Sequence, residues 1–163
     1  MKSKFLIITS LMLILFTISS FAVMSVNGSF GYVTSNASPS YAIGLTIKSI
    51  STVGFELTIE STVNSLLNLS QIANSQNWNF LPTLIFSLPS GDLRPYVGLG
   101  VMTTYNFTTG FSAISLSTFY YRIGADLFLG NFSMFGEAQG TFYRPNLSFS
   151  QPDEWRFGAG LAF

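Results

Sequence analysis

The stretch TFYYRIGADLFLGNFSMFGEAQGTFY, residues 118–143, decides how this chain reads. Its first half alternates residue by residue: Phe119, Tyr121, Ile123, Ala125, Leu127 and Leu129 share one parity, and Tyr120, Arg122, Gly124, Asp126 and Phe128 the other. Beyond Gly130-Asn131 the alternation resumes, with Phe132, Met134, Gly136, Ala138 and Phe142 against Ser133, Phe135, Glu137, Gln139, Thr141 and Tyr143. Successive side chains of a strand point to opposite faces, so a period of two gives each half one apolar face and one polar or small face. Two strands joined by two residues form a hairpin. Gly-Asn inverts the favoured Asn-Gly order, so a tight turn is expected without its type being fixed.

The same period extends in both directions. Downstream, Trp155, Phe157, Ala159, Leu161 and Phe163 oppose Glu154, Arg156, Gly158 and Gly160. Upstream, Val97, Leu99, Val101, Thr103, Tyr105 and Phe107 oppose Arg94, Tyr96, Gly98, Gly100, Met102, Thr104 and Asn106. Tyr41, Ile43, Leu45 and Ile47 oppose Ala42, Gly44, Thr46 and Lys48; Val53, Phe55, Leu57 and Ile59 oppose Gly54, Glu56, Thr58 and Glu60. A first strand is expected over Gly28–Thr34, with Phe30 and Tyr32 on the apolar face, and a fourth over Trp78–Leu88. The fourth is the least regular, because Leu81, Leu84, Ile85 and Phe86 crowd both faces and Pro82 is awkward in a central strand; a local bulge at that point is the expectation.

Composition tells which solvent the apolar faces meet. Of 163 residues only 9% are charged, against about 25% in ordinary soluble domains. Aromatics reach 16%, and seven Lys+Arg balance seven Asp+Glu. A nucleic-acid binder would need a basic footprint, so no nucleic-acid partner is expected. The absence of Cys excludes disulfides and thiolate metal sites, and the absence of His excludes a His-based triad. No catalytic residue, metal or cofactor is expected. No apolar run of helix-spanning length follows residue 22, and in lipid only helices and closed barrels satisfy the backbone. Alternation in a membrane chain therefore means a barrel. The fold expected is all-β: an eight-stranded antiparallel up-and-down transmembrane β-barrel, the smallest common size.

Residues 1–22 read as a secretory signal peptide. Lys2 and Lys4 precede an apolar run from Phe5 to Ile18, and Ser20 and Ala22 supply small residues before a cleavage point. The barrel then comprises residues 23–163, with five positive and seven negative side chains. Short connections are expected at Ile50–Thr52, Pro89–Leu93 and Gly130-Asn131, and longer ones at Thr62–Asn77, Asn106–Ser115 and Pro145–Asp153. Ser35–Pro39 is short but in phase with the long set. Bacterial barrels keep short turns in the periplasm, which puts both termini there. The apolar Leu66, Leu67, Leu69 and Ile72 suit either a short helix on the outer leaflet or a packed cap over the barrel.

The few charges are the sharpest internal check. Lys48, Glu56, Glu60, Arg94, Arg122, Asp126, Glu137 and Arg156 all fall on the parity that would face the lumen, with Arg94 near the turn-side rim. In lipid, a basic residue at the midplane costs about 2–4 kcal/mol, whereas inside the barrel opposite charges can pair. The expected partnerships are Glu56 and Glu60 with Lys48, and Arg122 and Arg156 with Glu137 and Asp126. Glu56 and Glu60 superficially resemble the carboxylate pair of a glycosidase, but a filled eight-strand interior leaves little room for a sugar. Trp78, Tyr105, Tyr121, Trp155 and Phe163 are candidates for the interface aromatics, with Phe132 and Phe142 beside them.

The segment Arg94-Pro95-Tyr96-Val97-Gly98-Leu99-Gly100, the Tyr120-Arg122-Gly124-Asp126 strand followed by Phe135 and Glu137, and the terminal Trp155–Phe163 stretch together resemble the small bacterial outer-membrane barrels of the OmpX/OmpA-like group. The resemblance implies a bacterial outer-membrane location, contact with outer-membrane lipids and insertion by the barrel assembly machinery, which reads a C-terminal Phe of this kind. The function expected is a structural or surface-interaction barrel without an open pore, its long loops outside and available to surface ligands. A narrow channel for small solutes and a secreted lipocalin-like ligand-binding barrel are the alternatives. The lipid-modifying acyltransferases of the superfamily need an active-site His that this chain lacks.

Overall fold

The computed structural model describes residues 22–49, 52–62, 77–88, 91–113 and 118–163. The expected signal peptide, apart from Ala22, and the apolar stretch expected as a helix or cap lie outside the described residues. In chain order the strands are β1 (Ala22–Val33), β2 (Ser38–Ser49), β3 (Val53–Thr62), β4 (Asn77–Ser87), β5 (Leu93–Gly100), β6 (Thr103–Asn106), β7 (Gly110–Phe111), β8 (Thr118–Leu129), β9 (Phe132–Tyr143), β10 (Ser148–Phe149) and β11 (Glu154–Ala162). β6 prolongs β5 along the same edge of β4, so eight strands make the wall: β1, β2, β3, β4, β5–β6, β8, β9 and β11. Each pairs antiparallel with its sequence neighbour, and β1 pairs with β11 to close the ring. This is the expected eight-stranded up-and-down barrel. Closure leaves no edge strand, so outside one interruption beside Pro82 the ladder pairs the wall's backbone polar groups without water.

Burial follows the parity of the sequence. Along β5 the odd positions are exposed while Tyr96, Gly98 and Gly100 are buried; along β11, Glu154, Arg156, Gly160 and Ala162 are buried while Trp155, Phe157, Ala159 and Leu161 are exposed. The core is the lumen, and it is largely polar: Arg122 and Arg156 are each only 1% exposed, whereas Ile43, Ile123 and Phe157 are more than half exposed on the outside. An apolar exterior around a charged interior is stable only where the surrounding solvent is itself apolar.

The structure differs from the expected outline in three places. β1 begins at Ala22, six residues before the expected Gly28, because Ser25, Val26 and Asn27 find ladder partners in both β2 and β11. The expected connections Asn106–Ser115 and Pro145–Asp153 contain short strands of their own, β7 paired with β6 and β10 paired with β9, so two of the hairpins continue past the wall. There is also no bulge at Pro82. The register of β4 with β3 runs unbroken through Leu57↔Pro82, and the register with β5 and β6 is the same on either side of it. The crowding resolves by side: Leu81, Thr83 and Ile85 point inward and are fully buried, while Leu84 and Phe86 face out. The disturbance appears on the neighbour instead, where Val101 and Met102 leave the strand conformation opposite Pro82 and Leu81.

The tight turn at Gly130-Asn131 is present, flanked by the Leu129↔Phe132 pair, with Gly130 at φ +66° where a side chain would be strained. Both ends of the wall, the start of β1 and the end of β11, lie at the same rim as this turn: Ala162 N–H donates to the Asn131 carbonyl.

Candidate functional site: an ion network across the lumen

The lumen is crossed by side chains from opposite walls. On β3, Glu56, Thr58 and Glu60 share the inward face at two-residue spacing, as the pleat requires. Arg122 reaches them from β8 and Arg156 from β11; both strands stand three places from β3 around the ring. Glu137 and Gln139 on β9 lie between the two arginines, placed by the pairs Arg122↔Gln139, Arg156↔Glu137 and Glu154↔Gln139.

Arg122 engages all three of its guanidinium nitrogens. Its Nε donates to Gln139 Oε1 at 2.9 Å, its Nη1 to Glu56 Oε1 at 2.5 Å, and Nη1 and Nη2 to Thr58 Oγ1 at 3.2 and 3.3 Å. Glu137 Oε1 stands 3.6 Å from Nη1. Arg156 donates from Nη1 to the same Glu137 oxygen at 3.1 Å and from Nη2 to Glu60 Oε2 at 3.3 Å, with Nε facing Glu154 Oε1 at 3.7 Å. Glu137 thus joins the two arginines, and each arginine ties its own wall to β3.

Neutral donors complete the carboxylates. Glu56 accepts from the Thr46 and Thr58 hydroxyls, each at 2.7 Å. Glu137 accepts from the Tyr96 hydroxyl at 2.7 Å, and Glu154 from Ser40 Oγ at 2.5 Å and Gln139 Nε2 at 3.0 Å. Desolvating charges is expensive, and opposite charges and hydrogen bonds offset it here, with Arg156 Nε making an ion contact to Glu154 but no hydrogen bond. All four glutamates are bound to arginines, so the arrangement holds walls together and fills the space between them.

The expected charge residues divide into three groups. Glu56, Glu60, Arg122, Glu137 and Arg156 are brought together. Asp126 is buried nearer the turn rim, in register with Arg94 and Phe135, and Arg94 lies at that rim, donating from Nε to the Gly91 carbonyl at 3.1 Å with its guanidinium 4.6 Å from the Phe128 ring centre. For Lys48 only the backbone is described, paired with Val23 and Gly54. Glu56 and Glu60 are met by arginines from the far walls, whose long side chains span the narrow lumen; their expected meeting with Lys48 lies outside the described side chains. The network also takes in Glu154 and the neutral partners Gln139, Tyr96, Thr46, Thr58 and Ser40, which charge alone does not single out. Their signal was inward parity, which Glu154 shares with Arg156.

The interface candidates lie on the outer parity. Trp155 and Phe163 are exposed, and Trp78 pairs with Tyr105, whose ring sits among Phe80, Phe107 and Phe111. Tyr121 is different: it is buried beneath Phe149, lies across Gly140, and donates its hydroxyl to the Ser150 carbonyl at 2.8 Å. It caps a backbone acceptor freed where β10 gives way to β11.

These features define an outer-membrane-type β-barrel. No protein-family model matches the chain, and no curated protein matches it in sequence. Solved structures match the fold: the N-terminal β-barrel domain of Pseudomonas aeruginosa OprF (TM-score 0.55, 16% identity, 86% of this chain and 97% of that one) and neisserial surface protein A (TM-score 0.53, 12% identity, 87% and 97%). A de novo designed transmembrane β-barrel matches similarly (TM-score 0.54, 16% identity, 88% and 94%). At these identities the likeness is one of fold.

Proposed function

We propose that this chain is a structural or surface-interaction barrel of the bacterial outer membrane, closed to steady flux and acting through the loops at the rim opposite the termini. The observation that carries the reading is the pair of cross-lumen ties, Arg122–Glu56 and Arg156–Glu60, which bind three walls together through the middle of the barrel. A channel of this diameter would need those side chains aside, and a ligand-holding barrel of lipocalin type would need space where they meet. The apolar outer face also argues against a secreted, water-soluble barrel.

The orientation proposed puts Gly91, Gly130 and both ends of the wall in the periplasm and the β6–β7 and β10 hairpins outside. Outer-membrane lipids are the partner of the outer face, and the assembly machinery acts on the chain during insertion. No enzymatic activity is proposed. With no native Cys, single cysteines are clean probes. On intact cells, a membrane-impermeant maleimide should label Thr108→Cys and Leu147→Cys but label Asp92→Cys only after the outer membrane is broken. The reverse pattern, or recovery of the protein in a soluble fraction without detergent, overturns the placement. Planar-bilayer recording tests the closed interior.

A further inference from the structure

Pro82 has a consequence on one side of β4 only. In an antiparallel ladder a residue's N–H and C=O point to the same neighbour. The Pro82 carbonyl accepts from Val101 N–H at 3.2 Å, so the bond that should return from residue 82 to the Val101 carbonyl would also cross to β5–β6. Proline has no N–H to make it. The β3 side is spared, since Leu57↔Pro82 is then a pair without mutual bonds. On the β5–β6 side the ladder stops at Thr83↔Gly100 and restarts only at Phe80↔Thr103. Met102, on lumen-facing parity opposite fully buried Leu81, is half exposed. No other wall seam among the described residues is interrupted in this way within a single register.

The lumen side of this gap carries a strap. Tyr120, on β8, lies over Gly100, where a Cβ would fall 2.5 Å from its ring carbon Cζ. It passes β5 and its hydroxyl hydrogen-bonds to Thr83 Oγ1 on β4. That bond crosses β5 on the lumen side at the last intact rung, Thr83↔Gly100, bordering the gap, and Arg122, whose guanidinium carbon lies 5.1 Å from the Tyr120 ring centre, backs it.

We propose that the wall between β4 and β5–β6 is the place where this barrel opens locally, hinged at Pro82 and held shut from within by the Tyr120–Thr83 latch. The seam opens while the rest of the ring stays paired, and it exposes the apolar inner side chain of Leu81 beside Met102.

Hydrogen exchange of the full barrel in lipid, resolved by amide, tests this. The Leu99, Val101 and Thr103 amides, which alternate toward β4, should exchange at least about tenfold faster than ladder amides of the β8–β9 seam near Ile123 and Ala138. Tyr120→Phe keeps the ring and removes the latch, and should speed exchange at those three amides while β8–β9 is unchanged. Pro82→Val restores a donor and should slow them toward the β8–β9 rate. Equal exchange at the two seams in the native protein overturns the proposal, as does a Tyr120→Phe effect spread evenly round the ring. Should Tyr120→Phe not fold, Pro82→Val decides: unchanged exchange at Val101 overturns the hinge.

Discussion

Replacing Arg122 by Met keeps an unbranched apolar stem but removes the guanidinium. The change strands Glu56, which keeps the Thr46 and Thr58 hydroxyls yet loses the cation 2.5 Å away. Glu137 is less affected, because Arg156 and Tyr96 still bind it. Gln139 and Thr58 lose a donor each. Breaking one member out of a buried pair costs about 3–5 kcal/mol, since the remaining charge is left desolvated. Against a total stability of roughly 5–15 kcal/mol this is a large fraction. Neutralising the stranded partner should recover part of it, so Arg122→Met with Glu56→Gln is expected to be more stable than Arg122→Met alone, by at least about 1 kcal/mol. The assay is urea-driven unfolding in lipid vesicles, followed by the fluorescence of Trp78 and Trp155, both on the outer face, with heat-modified gel mobility as a check on closure. A loss below about 1 kcal/mol, the worth of a solvent-exposed pair, would mean that water already bathes the pair and that it is not a buried tie. A double variant no more stable than Arg122→Met would refute the partnership with Glu56.

Other consequences are equally direct. Tyr121→Phe leaves the Ser150 carbonyl without its hydroxyl donor on the membrane side and should cost about 0.5–1.5 kcal/mol in the same unfolding assay. Gly158→Val places a Cβ 2.3 Å from the Phe135 ring and 2.7 Å from the Gly28 carbonyl oxygen, and should cost about 1–3 kcal/mol or block folding, read as loss of the heat-modifiable band. Ile123→Arg, at mid-strand on the lipid face, should cost about 2–4 kcal/mol, whereas Leu93→Arg near the turn rim should cost at most about 1 kcal/mol.

What the sequence reveals of this structure depends on the range of the interaction. Period two fixes which face a side chain takes, and Arg122, Glu137 and Arg156 could be assigned to the interior from parity alone. Parity does not say which inward residue meets which. The partners of Glu56 and Glu60 come from strands three places round the ring, and their choice depends on register and on the reach of an arginine, neither of which is a local property. Glu154 was readable as inward but gained importance only through Ser40 and Gln139, which the ring brings beside it. Tyr121 shows the opposite limit. Its parity correctly put it outside, yet its burial under Phe149 depends on β10, a two-residue strand inside an expected loop. Pro82 was conspicuous in the sequence, but whether it disturbs its own strand or a neighbour depends on which strand its missing N–H faces.

Single-channel recording in planar bilayers tests most directly whether the Arg122, Arg156 and glutamate network closes the lumen. The native barrel should show no steady conductance and at most rare, small openings, while Arg122→Met combined with Arg156→Met, which cuts both cross-lumen ties, should open more often. Stable, long-lived channels from the native protein would contradict the closed interior.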